Sequence, residues 1–465
     1  DLPRYSLDDN ELGRWLAEVT RARKLERFPN LGFSDEDPEE EYVAQELADS
    51  ALLTSIEVSN LDHISRRLIF VDGVMRYRVV GTIDVSGVQV PLAIAHVIAG
   101  AMRLEGGELL PLKKRDLLVV LFPFDAADKS MRQGGVLPPD VKPIEYRTDA
   151  EFKDVLSESD FGKRNVIFSD TTYTLGKYRS QGGQYERRML IDRSDLVASG
   201  KVISTAKNRA KEIMRTLELA LVLDVTKSVG DEHLVIVDGP IAPLFKYVGL
   251  IDPKLRAIFN GLNDKKNASD AYDILKKMVG VVKKVVKIPN QLAGNVQSFS
   301  LQQGFGGASA KAYIYLWTSV VESGVEGRED DTVYTYVLSA FLRLRGELIY
   351  ENYPVFSPTA GLVRLDIPLP VIIDDREEWV NWVIKYHSSV DVQEGGVDKT
   401  KQLLQSVKVG SKLAEIINTV YTMRYPIPSS SPYRNLVELY PIREVEDWLR
   451  SQLLSKYDIA TLGLS

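Results

Sequence analysis

Two apolar runs, each followed at once by Asp-Gly, constrain the fold of this chain more than any other feature. They are "RLIFVDGVMRY", which contains Asp72, and "HLVIVDGPIAP", which contains Asp238. Runs of this composition are typical of buried strands. A carboxylate at the end of such a buried strand loses hydration, which is unfavourable unless an ion-pair partner or a metal ion compensates. Both aspartates are therefore candidates for a shared chemical role.

The order of the predicted elements suits an α/β domain. Residues 67–98 carry three short runs rich in Val and Ile, separated by glycines, which predicts consecutive antiparallel strands with tight turns. Residues 199–230 have apolar residues at helical spacing and predict one long helix leading into the strand before Asp238. Further strands are predicted in 279–288, 311–321, 331–344 and 361–371, and residues 375–465 are predicted to be mostly helical.

Hairpin strands followed by a helix and a crossing strand are the plan of ribonuclease-H-like (PIWI-like) folds. We therefore predict a mixed central sheet flanked by helices, with N-terminal and internal elaborations. The 465 residues are ample for such a core. The predicted parts are an N-terminal helical arm (1–60), the main domain (61–440) with an insertion at about 103–200, and a C-terminal helical tail (441–465).

Asp72, Glu218 and Asp238 form the candidate site. Folds of this plan bring carboxylates from a first strand, a helix and a later strand together around one or two Mg²⁺ or Mn²⁺ ions. Glu218 interrupts the apolar part of the long helix in "RTLELAL", so it lies at the edge of the packed face. The structural alternative is that each acid is a turn or surface residue.

Composition excludes several other chemistries. The chain has no cysteine, which excludes disulfides, thiolate metal sites and cysteine nucleophiles. Its four histidines are widely spaced, which argues against a zinc hydrolase. The net charge of -7 argues against a uniformly basic surface and leaves room for a local basic groove. The glycine-rich residues 302–311 lack the Gly-Lys-Ser/Thr of a phosphate loop, which favours a plain turn.

No apolar run is long enough to cross a membrane, and the first residues lack the basic-then-apolar layout of a signal peptide. We therefore expect a soluble, cytoplasmic protein without a membrane partner.

In this arrangement the chain resembles the NurA nucleases, which process DNA ends together with hexameric HerA translocases. "IFVDGV" with Asp72 is similar to the first family motif. Glu218, about twenty residues before Asp238 in "VIVDGP", is similar to the second. "MVGVVKK" with Lys283, "LVRLDIP" with Arg364, and the Tyr-Pro-x-Pro segment in "RYPIPSSSPYR" follow in the family order.

Three positions depart from the family pattern. Tyr433 stands where the family usually has a histidine, so the role of that histidine does not carry over. Val74 and Pro240 follow the two Asp-Gly pairs, where the family has serine after Asp-Gly.

The resemblance implies a metal-dependent DNA nuclease with single-strand endonuclease and 5′-to-3′ exonuclease activity. Asp72, Glu218 and Asp238 would bind Mn²⁺ (or Mg²⁺). Lys283, Arg364 and Tyr433 would contact DNA, with Lys284 and Lys287 adding to the track and Asp366 favoured as the ion partner of Arg364 rather than as a fourth acid. The partners implied are DNA, a second copy of the chain in a homodimer and a HerA-type hexameric ATPase, in DNA repair or antiphage defence.

Two other functions are compatible with the same residues. One is a non-catalytic adaptor on the translocase ring, in which the motifs serve the fold alone. The other is a different ribonuclease-H-like metal nuclease that acts on RNA. Retention of all three carboxylates favours a catalytic protein, because buried acids without a metal are costly.

Overall fold

The computed structural model describes most of the central part of the chain and several segments on either side. The described residues are 6–21, 25–27, 52–58, 66–127, 143, 165–175, 178–179, 185–245, 247–283, 285, 288, 292, 310–317, 320–321, 333–344, 361–387, 407–423 and 439–462. None of the helices in these segments is both long enough and apolar enough to cross a membrane.

Strands form the centre of the molecule. They are β1 (Ser6–Leu7), β2 (Leu25–Arg27), β3 (Leu52–Val58), β4 (Arg67–Val85), β5 (Val88–Glu105), β6 (Glu108–Phe122), β7 (Asn165–Asp170), β8 (Tyr178–Arg179), β9 (Tyr185–Glu186), β10 (His233–Asp238), β11 (Met278–Val282), β12 (Ala310–Trp317), β13 (Val320–Val321), β14 (Val333–Tyr334), β15 (Val337–Arg343) and β16 (Leu362–Pro368). Within the described residues, a 12-stranded sheet has the order β1-β7-β6-β5-β4-β10-β11-β16-β15-β12-β3, and β2 pairs with β4.

Helices pack around this sheet. They are α1 (Asp9–Arg21), α2 (Phe124–Ala127), α3 (Ser199–Ser228), α4 (Ile241–Phe245), α5 (Val248–Ile251), α6 (Pro253–Asn260), α7 (Lys265–Leu275), α8 (Leu369–Ile372), α9 (Arg376–His387), α10 (Val407–Thr422), α11 (Tyr440–Gln452) and α12 (Lys456–Thr461). The coarse prediction of a mixed sheet flanked by helices is confirmed, as are the long helix and the strand that ends at Asp238.

The prediction of three short strands in residues 67–98 is wrong, because two long strands occupy this region. β4 runs through Gly73 and Gly81 without ending, since it pairs with β5 along almost its whole length, with one irregularity between Val79 and Gly81. The strands reverse at Ser86 and Gly87, whose φ angles of 53° and 87° suit a tight hairpin turn. Asp72 therefore lies inside a strand rather than after its end.

β10 and β11 run parallel to β4. β10 pairs with β4 up to Val237, which lies opposite Val71, and β11 pairs with β10. Parallel neighbours need crossover connections. α3 precedes β10, and α4 to α7 connect β10 to β11. This topology places the end of β10 beside Val71 and Asp72, in the first third of β4.

The N-terminal and internal segments contribute directly to the sheet. β1 and β3 lie at its two edges, and β6 and β7 extend it beyond β5. Trp15 of α1 packs edge-on against Phe168 of β7, with ring centroids 5.0 Å apart. From residues 1–60 and 103–200, the large sheet thus takes β1, β2, β3, β6 and β7, whereas β8 and β9 form a separate two-stranded sheet. The boundaries of separate domains stay a prediction.

Candidate active site

Asp72 and Asp238 lie side by side at the point where β10 leaves β4. The register pairs Val71 with Val237, so the next residue on each strand is an aspartate. Asp72 is only 4% exposed. The backbone N–H of Gly73 donates a hydrogen bond to its Oδ1 at 2.7 Å. The local sequence thus buries one carboxylate beside a second one, with little local compensation for its charge.

Lys283 brings a positive charge to this pair. It directly follows β11, whose apolar residues pair in parallel with β10. The Nζ atom of Lys283 lies 2.9 Å from Oδ2 of Asp238 and 3.8 Å from Oε2 of Glu446. The side chains of Lys283, Asp238 and Glu446 are 20%, 18% and 15% exposed. We call Asp72, Asp238, Lys283 and Glu446 the acidic cluster.

The acidic cluster has more negative than positive charge, and this changes its proton equilibria. Burial and the neighbouring charge of Asp238 raise the pKa of Asp72 well above its usual range, against the opposing effect of Lys283. Burial would lower the pKa of Lys283, yet Asp238, Glu446 and Asp72 together raise it above its ordinary value. Burial alone would raise the pKa of Glu446. The positive charges of Lys283 and Arg450 together have a larger effect, so the pKa of Glu446 lies below its usual value.

The acidic cluster lies on one face of the sheet. Asp72 is directly opposite Gly100 of β5, so the two residues share a face. A methyl group added at Gly100 would lie 2.5 Å from Leu449 and 2.6 Å from Trp448, both in α11. This helix, which carries Glu446, therefore covers the face toward which Asp72 projects.

Glu218 lies on the other face of β4. Successive residues of a strand project to opposite faces, so Gly73 faces away from Asp72. A methyl group added at Gly73 would lie 3.3 Å from Met214 and 3.4 Å from Oε2 of Glu218, both in α3. Glu218 is the last of the charges that contribute to the raised pKa of Asp72. The backbone of β4 thus separates Glu218 from the acidic cluster, and its role as a metal ligand stays a prediction.

Arg215 connects Glu218 to the end of β10. One of its terminal nitrogens donates to Oε2 of Glu218 at 2.7 Å and to the backbone oxygen of Asp238 at 3.4 Å. The guanidinium lies over Gly239, whose φ of 105° is a conformation that favours glycine. The ion pair with Arg215 stabilises the buried carboxylate of Glu218, which gives Glu218 a structural role.

Gly280 of β11 allows the chain after Asp238 to turn close to the sheet. A methyl group added at Gly280 would lie 2.6 Å from the backbone oxygen of Gly239 and 2.9 Å from Ile241. A larger residue at position 280 would therefore push the turn away and displace Asp238 from Lys283.

Arg364 and Asp366 form a separate buried pair on β16. Nε and a terminal nitrogen of Arg364 donate to the two carboxylate oxygens of Asp366 at 2.8 and 3.1 Å. The preferred assignment of Asp366 as the ion partner of Arg364 is thus confirmed. Arg364 is 4% exposed. Since Arg364 pairs with Val282, which projects away from the face of Lys283, the structure does not bring it to the acidic cluster.

Three predicted DNA contacts, Tyr433, Lys284 and Lys287, lie outside the described residues. Most of the glycine-rich segment 302–311 lies outside them as well.

The donor set of the acidic cluster suits a hard divalent cation in its chemistry. Carboxylate oxygens are the ligands that Mg²⁺ and Mn²⁺ prefer, and Mg²⁺ often binds through one or two carboxylates plus water and substrate phosphate. Asp72 and Asp238 provide such a pair. Among the described residues, no group of three or more His, Cys, Asp or Glu side chains is arranged to hold a metal ion. The pair, rather than a closed three-carboxylate site, is what the geometry offers.

Sequence reasoning missed Glu446 and Arg215. Glu446 stands between Val445 and Leu449 on the buried side of α11, and an acid at the edge of an apolar helix face is the signal that selected Glu218. Nothing in the sequence indicates which of two such helices covers the face of Asp72.

Comparison with known proteins gives a distant structural likeness. No protein-family model matches the chain. No curated protein matches it. The fold is similar to the crystal structure of the NurA nuclease from Sulfolobus solfataricus, with a TM-score of 0.29 and 12% sequence identity, over 75% of this chain and 87% of that one. A TM-score of this size carries no conclusion about function.

Proposed function

We propose that this chain is a metal-dependent DNA nuclease whose site is built around Asp72 and Asp238. The observation that carries the proposal is the burial of Asp72 directly beside Asp238, at the junction of two parallel strands. Groups whose pKa is strongly shifted by burial and a specific neighbour are concentrated at functional sites. A carboxylate pair without enough counter-charge is also the arrangement that a divalent cation stabilises.

The order of the strands supports a ribonuclease-H-like core. β4, β5 and β6 are consecutive antiparallel strands, and β10 and β11 add in parallel on the other side of β4. This is the hairpins-then-crossover plan predicted for such folds, with one aspartate on the first strand and one on the strand after the long helix. The proposed core is thus the five-stranded part of the larger sheet.

In the proposed reaction, Asp72 and Asp238 would hold a divalent cation at the end of β10. When bound, the cation supplies activation of water and stabilisation of charge on the phosphodiester oxygens. The chain itself contributes the carboxylate oxygens and a half-buried ammonium. The Nζ atom of Lys283 lies 2.9 Å from Oδ2 of Asp238, so its ammonium would lie beside a substrate phosphate bound at the cation. The neighbouring carboxylates raise its pKa and keep it cationic at neutral pH.

The wider assignment follows from the motif order. We propose that the substrate is DNA, that Mn²⁺ or Mg²⁺ is the cofactor, and that the protein acts as a homodimer with a HerA-type hexameric translocase at DNA ends. In that arrangement the motor supplies the DNA, which accounts for an acidic chain of net charge -7 acting on a polyanion.

The test is cleavage of end-labelled linear single- and double-stranded DNA in Mn²⁺, Mg²⁺ or EDTA, with and without the HerA-type ATPase. We expect metal-dependent cleavage that Asp72→Asn and Asp238→Asn each reduce by at least about 100-fold, since each removes a charged ligand. Asp231→Asn is the matched control. Asp231 lies just before β10, at the end of the strand opposite Asp238, and its side chain is 71% exposed.

Four results would contradict the proposal or the substrate that it names. Cleavage that persists in EDTA would exclude a metal requirement. Full activity in both variants would exclude a catalytic role for the carboxylate pair. No cleavage in any condition, with the ATPase complex assembled, would favour the non-catalytic adaptor. Metal-dependent cleavage of RNA and not of DNA would keep the site and change the substrate.

A further inference from the structure

The acidic cluster includes a residue from the far end of the chain. Glu446 belongs to α11, where Ile442, Val445 and Leu449 face the core. Its Oε1 accepts from a terminal nitrogen of Arg450 at 2.6 Å, and its Oε2 lies 3.8 Å from Nζ of Lys283. The carboxylate of Glu446 thus links the solvent-exposed guanidinium of Arg450 to the ammonium of Lys283 at the proposed site.

The position of α11 is set by close contacts with the sheet. Gly100 leaves room for Trp448 and Leu449, as described above. At the end of the helix, the backbone N–H of Leu454 donates to Nδ1 of His96 at 2.8 Å. Arg76 donates to the backbone oxygen of Leu454 at 2.6 Å. These contacts hold the helix on β4 and β5, so Glu446 has a defined place beside Lys283.

Among the described residues, Lys283 has two carboxylates within ion-pair distance, and they differ in their proposed roles. Asp238, at 2.9 Å, is a proposed cation ligand, whereas Glu446, at 3.8 Å, projects from another element. A cation that binds Asp238 competes with Lys283 for the same oxygens. A partly buried ammonium that loses its only carboxylate is strongly destabilised, so a second carboxylate lowers the free-energy cost of that exchange.

We propose that Glu446 is a positioning residue that holds Lys283 at the site when Asp238 binds a divalent cation. This inference rests on the proposed function and deepens it. Glu446 acts through Lys283, and α11 accordingly contributes a residue to the function of the site.

The measurement is Mn²⁺ affinity of the full-length protein, by isothermal titration calorimetry and by electron paramagnetic resonance of free Mn²⁺, without DNA. We expect Glu446→Gln to weaken Mn²⁺ binding about tenfold, because the remaining carboxylates that stabilise Lys283, Asp238 and Asp72, are the proposed ligands of the cation. Glu446→Asp, which keeps the charge, restores most of the affinity. Glu444→Gln is the matched control, since it makes the same change two residues earlier on a different side of α11.

A double-mutant cycle separates positioning from direct ligation. Lys283→Met removes the competing ammonium, so we expect Mn²⁺ to bind this variant at least as tightly as the wild type. In the Lys283→Met background, Glu446→Gln should change the affinity less than about twofold. A loss that persists in that background would show that Glu446 is itself a ligand and would overturn the positioning role.

The outcomes also separate this inference from the proposed function. A wild-type protein that binds no Mn²⁺ at millimolar concentration would contradict the metal site and with it both proposals. A wild type that binds Mn²⁺, with the same affinity in Glu446→Gln, would overturn the role of Glu446 alone. Thermal melts of each variant establish that the proteins compared are folded.

Discussion

Two buried aspartates of the same sheet, Asp72 and Asp366, have opposite surroundings. Asp366 is fully buried and accepts two hydrogen bonds from Arg364, one from the hydroxyl of Ser339 at 3.1 Å and one from the backbone N–H of Ile241 at 3.3 Å. Asp72 is buried almost as completely, and it accepts a local hydrogen bond from the backbone N–H of Gly73. Its charged neighbours are mainly other carboxylates.

The difference distinguishes a structural carboxylate from a functional one. A buried charge that is fully hydrogen-bonded and paired contributes to a unique packed state, and removal of one partner is strongly unfavourable. A buried charge left among like charges lowers stability, and such arrangements persist where activity requires them. Asp366 thus belongs to the fold, and Asp72 to the chemistry that we propose.

The largest expected effect is at Asp366. Asp366→Asn keeps the volume but leaves the buried guanidinium of Arg364 without its carboxylate, so the free energy of unfolding should fall by about 3–5 kcal/mol. Urea unfolding followed by circular dichroism measures this loss. Asp72→Asn, in the same assay, is the paired comparison. A loss below about 1 kcal/mol for Asp366→Asn would mean that the two aspartates do not differ as the contacts indicate.

Lys283 gives the next largest effect. Lys283→Met removes the ammonium that lies between Asp238 and Glu446, and we expect the free energy of unfolding at pH 7 to fall by about 2 kcal/mol. Millimolar Mn²⁺ should recover this loss, because a cation at Asp72 and Asp238 replaces the missing charge. Thermal melts with and without Mn²⁺ provide the measurement. A loss that Mn²⁺ leaves unchanged would place the cation elsewhere.

Asp72→Asn should act in the opposite direction from Asp366→Asn. It removes one negative charge from the acidic cluster, so we expect the free energy of unfolding at pH 7 to rise by about 1 kcal/mol. We expect the same substitution to reduce the proposed activity by at least about 100-fold. A destabilised Asp72→Asn protein would indicate that Asp72 serves the fold, as Asp366 does.

The smallest effect is the pH dependence of that gain. The pKa of Asp72 is raised in the folded protein, so the folded state binds more protons than the unfolded state between the two pKa values. Its contribution to stability is therefore fully present below about pH 4, the unfolded value, and is lost as pH rises toward the folded pKa. The stability difference between Asp72→Asn and wild type should grow from pH 4 to pH 7 in metal-free buffer. A constant difference would contradict the raised pKa.

Local patterns predicted several elements of the fold well. Apolar spacing over residues 199–230 predicted α3, and the run before Asp238 predicted β10, because burial of one helix face or of a whole strand leaves a periodic signature. The glycines of β4 misled the same reasoning. Gly73 and Gly81 resemble strand ends, but pairing with β5 overrides their weak strand preference.

The candidate site was predictable in part. Because both segments have an apolar run followed directly by Asp-Gly, the sequence predicted a shared role for Asp72 and Asp238. Parallel pairing of their strands places the two residues side by side. Glu218 and Glu446 illustrate the limit. Both are acids at the edge of an apolar helix face, and only the packing of α3 and α11 on opposite faces of β4 separates them.

The sequence by itself determined the two strand-and-aspartate motifs, the long helix between them and the absence of cysteine chemistry, since these follow from residue types and local periodicity. The tertiary structure alone decided which charges meet Asp72. Side-chain direction along a strand alternates at every residue, so the face on which each helix packs selects between Glu218 and Glu446. That choice depends on the close approach of α11 to Gly100, a contact between residues more than three hundred positions apart.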